Sequence, residues 1–244
     1  NGELIERLAW CMDTDGMRTG IPHNGTNVTD MQACIDNWLN ATGLQNNFYE
    51  HTVKAPTFEY IEEEIERSQD VILLLGFWEN QSGEWKRIGG HYVTCAGVNS
   101  PMRMIAFSDP FFDNAEAGGP GRVPVPHPYP HNSTVHNDAQ YVSHDHYQVA
   151  PGSPSPGGYE YLPDYIVSKY PWLVENFTSM NVPSEFESYQ GTWQGGQIYT
   201  EIEYAVIISP KCVPGIEVNK TVWNGSAWVK ETTANLGDTL RFRI

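Results

Sequence analysis

The sequence predicts an α+β protein in which helices come first, an antiparallel sheet follows, and a short β-module ends the chain. Three observations predict this order. Apolar residues recur at helical spacing up to about residue 66, a strand-length apolar run begins at Val71, and an Asn224-Gly225 turn lies between two tryptophans. Helices that precede the strands, instead of alternating with them, are typical of α+β folds.

Three helices are expected before the sheet. The first covers about residues 3–12, the second follows a Thr29 cap, and the third opens at Pro56-Thr57. Each has apolar residues three or four positions apart, which places them on one face. Residues 13–29 and 40–47 are polar and are predicted to be loops.

Strands are predicted over residues 71–78, 91–98 and 102–107, with residues 80–90 as a loop. Asn99-Ser100-Pro101 is a suitable turn between the second and third of these strands. A further strand over residues 202–209 is expected to join this antiparallel meander. Residues 159–200 show only weak periodicity and support no assignment.

The domain boundary is expected where the residue composition and the hydrophobic pattern of the sequence change. Residues 1–212 form the α+β domain, which includes a long Pro-, Gly-, His- and Asn-rich loop over residues 113–158. Residues 213–244 form an incomplete β-module. Asn-Gly between apolar runs is a strong hairpin signal, and residues 240–244 alternate as a strand does.

Composition excludes several functions. The chain has 14 Lys and Arg against 30 Asp and Glu, a formal charge of −16, which argues against binding to nucleic acid or to anionic lipid. No run of about 18 apolar residues is present, so no membrane span is predicted. Hydrophobic residues make up 40% of the chain, which is enough for a sizeable core.

Export is predicted by an excess of N-glycosylation signals and by the cysteines. Glycosylation at Asn-x-Ser/Thr takes place on exported chains, and the expected location is therefore extracellular or at the cell surface. The start Asn1-Gly2-Glu3 is no signal peptide, so processing from a larger precursor is expected. Eight acceptors are present: Asn24, Asn27, Asn40, Asn80, Asn132, Asn176, Asn219 and Asn224.

Four cysteines fit an oxidising compartment and allow three disulfide connectivities. Cys11 and Cys34 lie on neighbouring predicted helices, whereas Cys95 and Cys212 lie on or beside predicted strands. The pairs Cys11–Cys34 and Cys95–Cys212 are therefore favoured. The spacing contains no C-x-x-C and so does not indicate zinc.

One His–Asp pair follows from the predicted hairpin around Ser100-Pro101. If paired residue numbers sum to 200 or 201, His91 lies opposite Asp109 or Pro110. A carboxylate beside an imidazole orients the ring and stabilises its charged form, as a general base for a nucleophile requires. The alternative is a structural His–Asp hydrogen bond at a sheet edge.

The segment from Gly89 to Asn99, which reads GGHYVTCAGVN, resembles the Gly-His-x-Val-x-x-x-Gly strand of papain-like cysteine peptidases. It is most similar to the bacteriocin-processing type and its secreted relatives. In this family an Asp or Asn follows on the next strand, often as Asp-Pro, and Ser108-Asp109-Pro110 resembles that element. The resemblance covers about residues 1–113. It implies a papain-like fold, with His91 as the base and Asp109 as its orienting partner.

The sequence contains no motif that matches the nucleophilic cysteine of this family. The family carries its reactive cysteine at the start of a helix after an oxyanion Gln, and no such motif stands here. Cys11 and Cys34 are in mid-helix. Cys95 is four strand residues from His91, about 13 Å away at the usual rise. The Cys-bearing helix is then either on a missing upstream segment or degenerate.

The tail has its own resemblance. Residues 218–244, with KTVWNG at Lys220 and NLGDT at Asn235, look like the opening of Ig-like repeat modules in archaeal and bacterial surface proteins. Such sandwiches need about seven strands, so this module is incomplete. Truncation explains this, or completion by a strand from another chain.

No cofactor is predicted. The His-rich loop is interpreted either as a metal site or as a solvated loop. The solvated loop is favoured, because no pair of its side chains has a recognisable ligand spacing. Calcium is a second, weaker candidate. The histidine site would use His127, His131, His136, His144 and His146 with Asp138 and Asp145, and the calcium site Asp109, Asp113, Asn114 and Glu116.

Three functions remain open. The first interpretation is an extracellular N-glycosylated protein segment with a cysteine-peptidase-like domain that lacks its own nucleophile, or an active secreted peptidase whose Cys lies upstream. The second is a structural subunit of a surface layer, sheath or filament that assembles by strand exchange. The third is an adhesion module that uses some of its 8 tryptophans. The expected partners are the rest of a larger polypeptide or neighbouring copies.

Overall fold

The computed structural model describes residues 2–21, 25–67, 69–108, 145–165, 167, 174, 183–211, 221–223, 226, 228–229 and 242–243. Over these residues the protein is α+β, with helices at the N-terminus and an antiparallel sheet after them, as predicted. The chain divides into two units, Asn1–Pro210 and Lys211–Ile244. This division falls two residues before the predicted boundary at residue 212.

Three α-helices form where apolar spacing predicted them. They are α1 (Gly2–Cys11), α2 (Val28–Thr42) and α3 (Phe58–Glu66). Asn27, and not Thr29, caps α2, since its side chain accepts a hydrogen bond from the Thr29 N–H. Thr57 caps α3 by accepting from the Tyr60 N–H. Gly43 ends α2 in the left-handed conformation that favours glycine.

Six strands make the main sheet, in the order β1-β6-β2-β3-β4-β5, and every neighbouring pair is antiparallel. The prediction missed β1, because the mixed polarity of residues 48–54 supported no assignment between the loop over residues 40–47 and the third helix. The strands are β1 (Phe48–Lys54), β2 (Asp70–Gln81), β3 (Glu84–Asn99), β4 (Met104–Ser108), β5 (Asp145–Gln148) and β6 (Ile198–Pro210).

Two predicted loops are partly strand. The expected loop over residues 80–90 is a tight hairpin in which Gln81 pairs with Glu84, and Ser82 and Gly83 both have positive φ. That turn matches the right-handed twist of paired strands, so β2 and β3 extend far beyond the predicted ends. The loop predicted over residues 113–158 contains β5, which pairs with β4.

Helices cover both faces of the sheet. On one side, called the α2 face, apolar residues of α2 pack on β2 and β6, with Leu74 and Val206 among the buried residues. On the other side, called the α3 face, Phe58 and Ile61 of α3 pack on Leu73 and the largest buried cluster. Strand residues alternate between the faces, so both kinds of position are apolar in β2.

The second unit contains a three-stranded sheet with the order β8-β7-β9. Its strands are β7 (Thr221–Trp223), β8 (Trp228–Val229) and β9 (Phe242–Arg243). Trp223 pairs with Trp228 across the predicted hairpin, and β9 confirms the alternating tail as a strand. The turn residues Asn224 and Gly225 lie outside the described residues.

Candidate functional site

His91, the predicted general base, lies in the middle of β3 directly opposite Leu75 of β2. Tyr92 packs with the α2 cluster and Val93 with the α3 cluster, so alternation places His91 on the α3 face. Its side chain is half-buried. Asp109 lies outside the described residues, so its pairing with His91 stays a prediction.

The predicted register between the two strands is wrong by one to three residues. Thr94 pairs with Ser108 and Cys95 with Phe107, whereas the expected sums would pair Cys95 with residue 105 or 106. Two features lengthen the connection. A 3₁₀ turn over Ser100–Met102 ends at a left-handed Arg103, and a bulge follows Cys95. Neither feature is visible in the hydrophobic pattern.

None of the described cysteines is an available nucleophile. Cys11 and Cys34 form a disulfide with a Cα–Cα distance of 5.4 Å, as predicted. Cys95 is a free, buried thiol, and burial raises its pKa to about 12, so it stays protonated at neutral pH. The structure therefore does not form the predicted Cys95–Cys212 bond. Cys212 itself lies outside the described residues.

A buried ion pair lies on the α2 face against Gly90, the residue before His91. The Arg87 Nε donates to Glu203 Oε1 at 2.8 Å, and Arg87 Nη2 donates to Glu203 Oε2 at 2.7 Å. Both side chains are almost fully buried. Trp78 Nε1 also donates to Glu203 Oε1 at 3.0 Å. This bidentate geometry is the arrangement that a desolvated Arg–carboxylate pair needs.

Two glycines make the space for this ion pair. Gly76 and Gly90 are direct cross-strand partners. A Cβ on Gly76 would meet the Glu203 Oε1 at 1.9 Å, and a Cβ on Gly90 would meet Arg87 Nη2 at 2.6 Å. The Gly-Gly-His segment is thus explained in part by packing, because Gly90 must be bare for the guanidinium to lie against the sheet.

Sequence reasoning missed the ion pair altogether. The available signal was Glu203, a charged residue inside the predicted strand over residues 202–209, whereas Arg87 fell in the predicted loop over residues 80–90. A charged residue on a predicted buried strand is expected to have a partner. No local pattern says which residue that partner is, because 116 positions separate the two.

A second carboxylate, Glu201, is fully buried two residues before Glu203. The Ser155 hydroxyl donates to Glu201 Oε1, while Glu201 Oε2 has no hydrogen-bond partner. Burial raises the pKa of Glu201 above its ordinary value. This contact ties the Ser-Pro segment around Ser155 to the sheet.

Three of the eight predicted glycosylation acceptors are described. Asn40 and Asn80 are exposed, on the last turn of α2 and at the end of β2 respectively. Asn27 is half-buried and caps α2. The other acceptors lie outside the described residues: Asn24, Asn132, Asn176, Asn219 and Asn224.

The predicted metal and calcium sites fall almost entirely outside the described residues. In the described part of the chain, no group of three or more His, Cys, Asp or Glu side chains is placed to hold a metal ion. No helix of the described residues is both long and apolar enough to cross a bilayer.

Comparison of the chain with family models, with curated proteins and with solved structures finds no match.

Proposed function

We propose that this chain is an exported, N-glycosylated protein whose first unit is a cysteine-peptidase-like scaffold without a reactive cysteine of its own. The observation that carries the proposal is the state of the cysteines. Cys11 and Cys34 are joined in a disulfide, and the Cys95 thiol is buried with a raised pKa. A disulfide between two helices favours an oxidising compartment.

The glycosylation part of the proposal rests on the solvent exposure of two acceptor residues. Asn40 and Asn80 are exposed, so an oligosaccharide can be attached to either without displacing a buried side chain. Asn27 differs because it is half-buried at the N-terminus of α2, where its side chain caps the helix. We therefore expect fuller occupancy at Asn40 and Asn80 than at Asn27.

The scaffold part of the proposal rests on β3. His91 is held in the middle of a long strand by pairing with Leu75, next to a glycine that accommodates a buried arginine. The strand thus presents a half-buried imidazole on a rigid element, as a catalytic base requires. The cysteine that such a base would activate is lacking among the described residues, so the scaffold is proposed to be non-catalytic in this form.

The test combines thiol labelling with glycopeptide mapping. Labelling is assigned residue by residue from peptides, so that Cys212 is scored apart from the other cysteines. We expect Cys95 to resist iodoacetamide in the native protein and to react after unfolding, and Cys11 and Cys34 to react only after reduction as well. Peptides containing Asn40 and Asn80 should carry glycan. His91→Ala should leave native labelling and casein hydrolysis at the wild-type baseline.

Rapid alkylation of a native thiol that disappears in His91→Ala would instead identify an active peptidase. A protein without any glycan, purified from a host that glycosylates, would remove the exported-glycoprotein half of the proposal.

A further inference from the structure

An open groove lies between α1 and the outer side of α2. Its volume is about 750 Å³, which is in the range of sites that bind small molecules. The groove is mainly apolar, with the Cys11–Cys34 disulfide among its lining residues. Apolar side chains on its walls include Leu4, Leu8, Trp10, Met17 and Trp38.

Two tryptophans in this groove are unusually exposed. Trp10 is 55% exposed and Trp38 is 46% exposed, although both are large and apolar. Contiguous exposed apolar surface of this kind on a soluble protein generally marks a site that something covers. Polar side chains stand beside them in the lining, at Glu6 and Asn37. Aromatic faces flanked by hydrogen-bonding groups suit a sugar, which has apolar C–H faces and polar hydroxyls.

A covalent source of sugar lies at the rim of the same groove. Asn40 is the acceptor of an Asn-Ala-Thr signal, and its neighbour Ala41 lines the groove. Asn40 follows the groove residue Asn37 by three positions, so their Cβ atoms are about 5–6 Å apart on the helix surface. The first sugar on Asn40 would therefore stand beside a groove residue.

The two other described acceptors are less well placed. The groove residues of α2 run from Cys34 to Ala41. Asn27 precedes Cys34 by seven positions, about 10 Å along the helix axis. Asn80 lies at the end of β2, and β2 contributes no residue to the groove.

We propose that the N-linked glycan on Asn40 folds back into the groove between α1 and α2 and covers Trp10 and Trp38. The inference rests on the proposed function, since it requires an exported, glycosylated chain. Attachment to α2 keeps the sugar at a high effective concentration, so even weak stacking on each indole holds it in place.

The attachment step balances in the usual way for this modification. The side-chain amide nitrogen of Asn40 bonds to the anomeric carbon of a lipid-phosphate-linked oligosaccharide and loses one proton. The bond between that carbon and the phosphate oxygen breaks, and the lipid phosphate leaves with the electron pair. No oxidant or reductant is required.

The experiment is hydroxyl-radical footprinting with mass spectrometry on protein from a glycosylating host. Asn40→Gln removes the glycan, and the matched control Asn80→Gln removes a glycan from the hairpin end. We expect oxidation of Trp10 and Trp38 to rise about three-fold or more in Asn40→Gln and to stay unchanged in Asn80→Gln. The half-buried Trp85, which packs edge-on against Tyr199, is the internal reference for Asn40→Gln. It does not serve for Asn80→Gln, because Trp85 pairs with residue 80 across the hairpin.

Thr42→Ser is a second control, because it keeps the acceptor signal and a hydroxyl where Thr42 bonds the Trp38 carbonyl oxygen. Trp10 and Trp38 of this variant should be oxidised to the same extent as in wild type. Equal oxidation of Trp10 and Trp38 in wild type and Asn40→Gln, with Asn40 glycosylated, would overturn the inference. So would an unoccupied Asn40 beside a glycosylated Asn80, an outcome that leaves the proposed function intact. A chain without glycan at any site would overturn both.

Discussion

The centre of the sheet and the N-terminal helix differ in what holds them in place. At the centre, Arg87, Glu203 and Trp78 form a buried network over two glycines of paired strands. Helix α1, in contrast, has no buried side chain among its described residues, and the disulfide joins it to α2. One region is stabilised by desolvated polar contacts that require both partners, whereas the other is tethered by a disulfide beside solvent.

Because of this difference, substitutions in the two regions should destabilise very different parts of the structure. Loss of a partner in the sheet leaves an uncompensated buried charge, and the whole first unit bears that cost. Loss of the disulfide should release mainly the element that it tethers. Substitutions at Glu203, at the two disulfide cysteines and at Glu201 should therefore change the stability of the protein to decreasing degrees.

Replacing Glu203 by Ala should be the most damaging change, because it leaves the buried guanidinium of Arg87 without its carboxylate. We expect a loss of about 3–5 kcal/mol in the free energy of unfolding, measured by urea denaturation. The double variant Arg87→Met/Glu203→Leu removes both charges and should recover most of that loss. If the single and double variants are equally unstable, the ion pair is not what the sheet centre depends on.

Removing the disulfide with Cys11→Ser/Cys34→Ser should have a smaller and more local effect. Closing a loop of this length stabilises a protein by about 3 kcal/mol in the chain-entropy model. Because α1 buries little, we expect hydrogen exchange to accelerate in residues 2–11 while amides of β2 and β3 keep their protection. Loss of protection across the sheet would show that α1 is integral to the core and would remove the contrast.

The smallest effect concerns pH and Glu201. Burial raises the pKa of this carboxyl in the folded state, so the folded protein binds a proton more tightly than the unfolded chain does. Its contribution to stability is therefore complete below the unfolded pKa and is lost as pH rises through the folded value. Glu201→Gln should gain stability relative to wild type between pH 4 and pH 7, as followed by urea midpoints. Parallel profiles for the two proteins would contradict the raised pKa.

Local pattern was sufficient for several elements. Periodicity identified α1 and α3, with Pro56-Thr57 correctly marking the start of the latter. The positions of Cys11 and Cys34 on adjacent helices were enough to pair them. These features depend on residues near each other in sequence, where spacing and capping chemistry decide the structure.

Long-range features could not be predicted in the same way. Strand β1 has mixed polarity, and its place beside β6 depends on pairing across more than 150 residues. The register of β3 and β4 depends on a bulge that the alternation does not reveal. The pairing expected for Cys95 likewise depended on where a distant strand end would lie.

Local patterns were enough to predict the fold class, the helices, one disulfide and an acidic chain rich in glycosylation signals. Which residues meet in the sheet centre depends on the folded chain, because Arg87 and Glu203 lie far apart in sequence and become partners only when β3 and β6 flank β2. The tertiary structure also decided that Trp10 and Trp38 stay exposed. Exposure depends on what the fold leaves uncovered, and no local pattern contains that information.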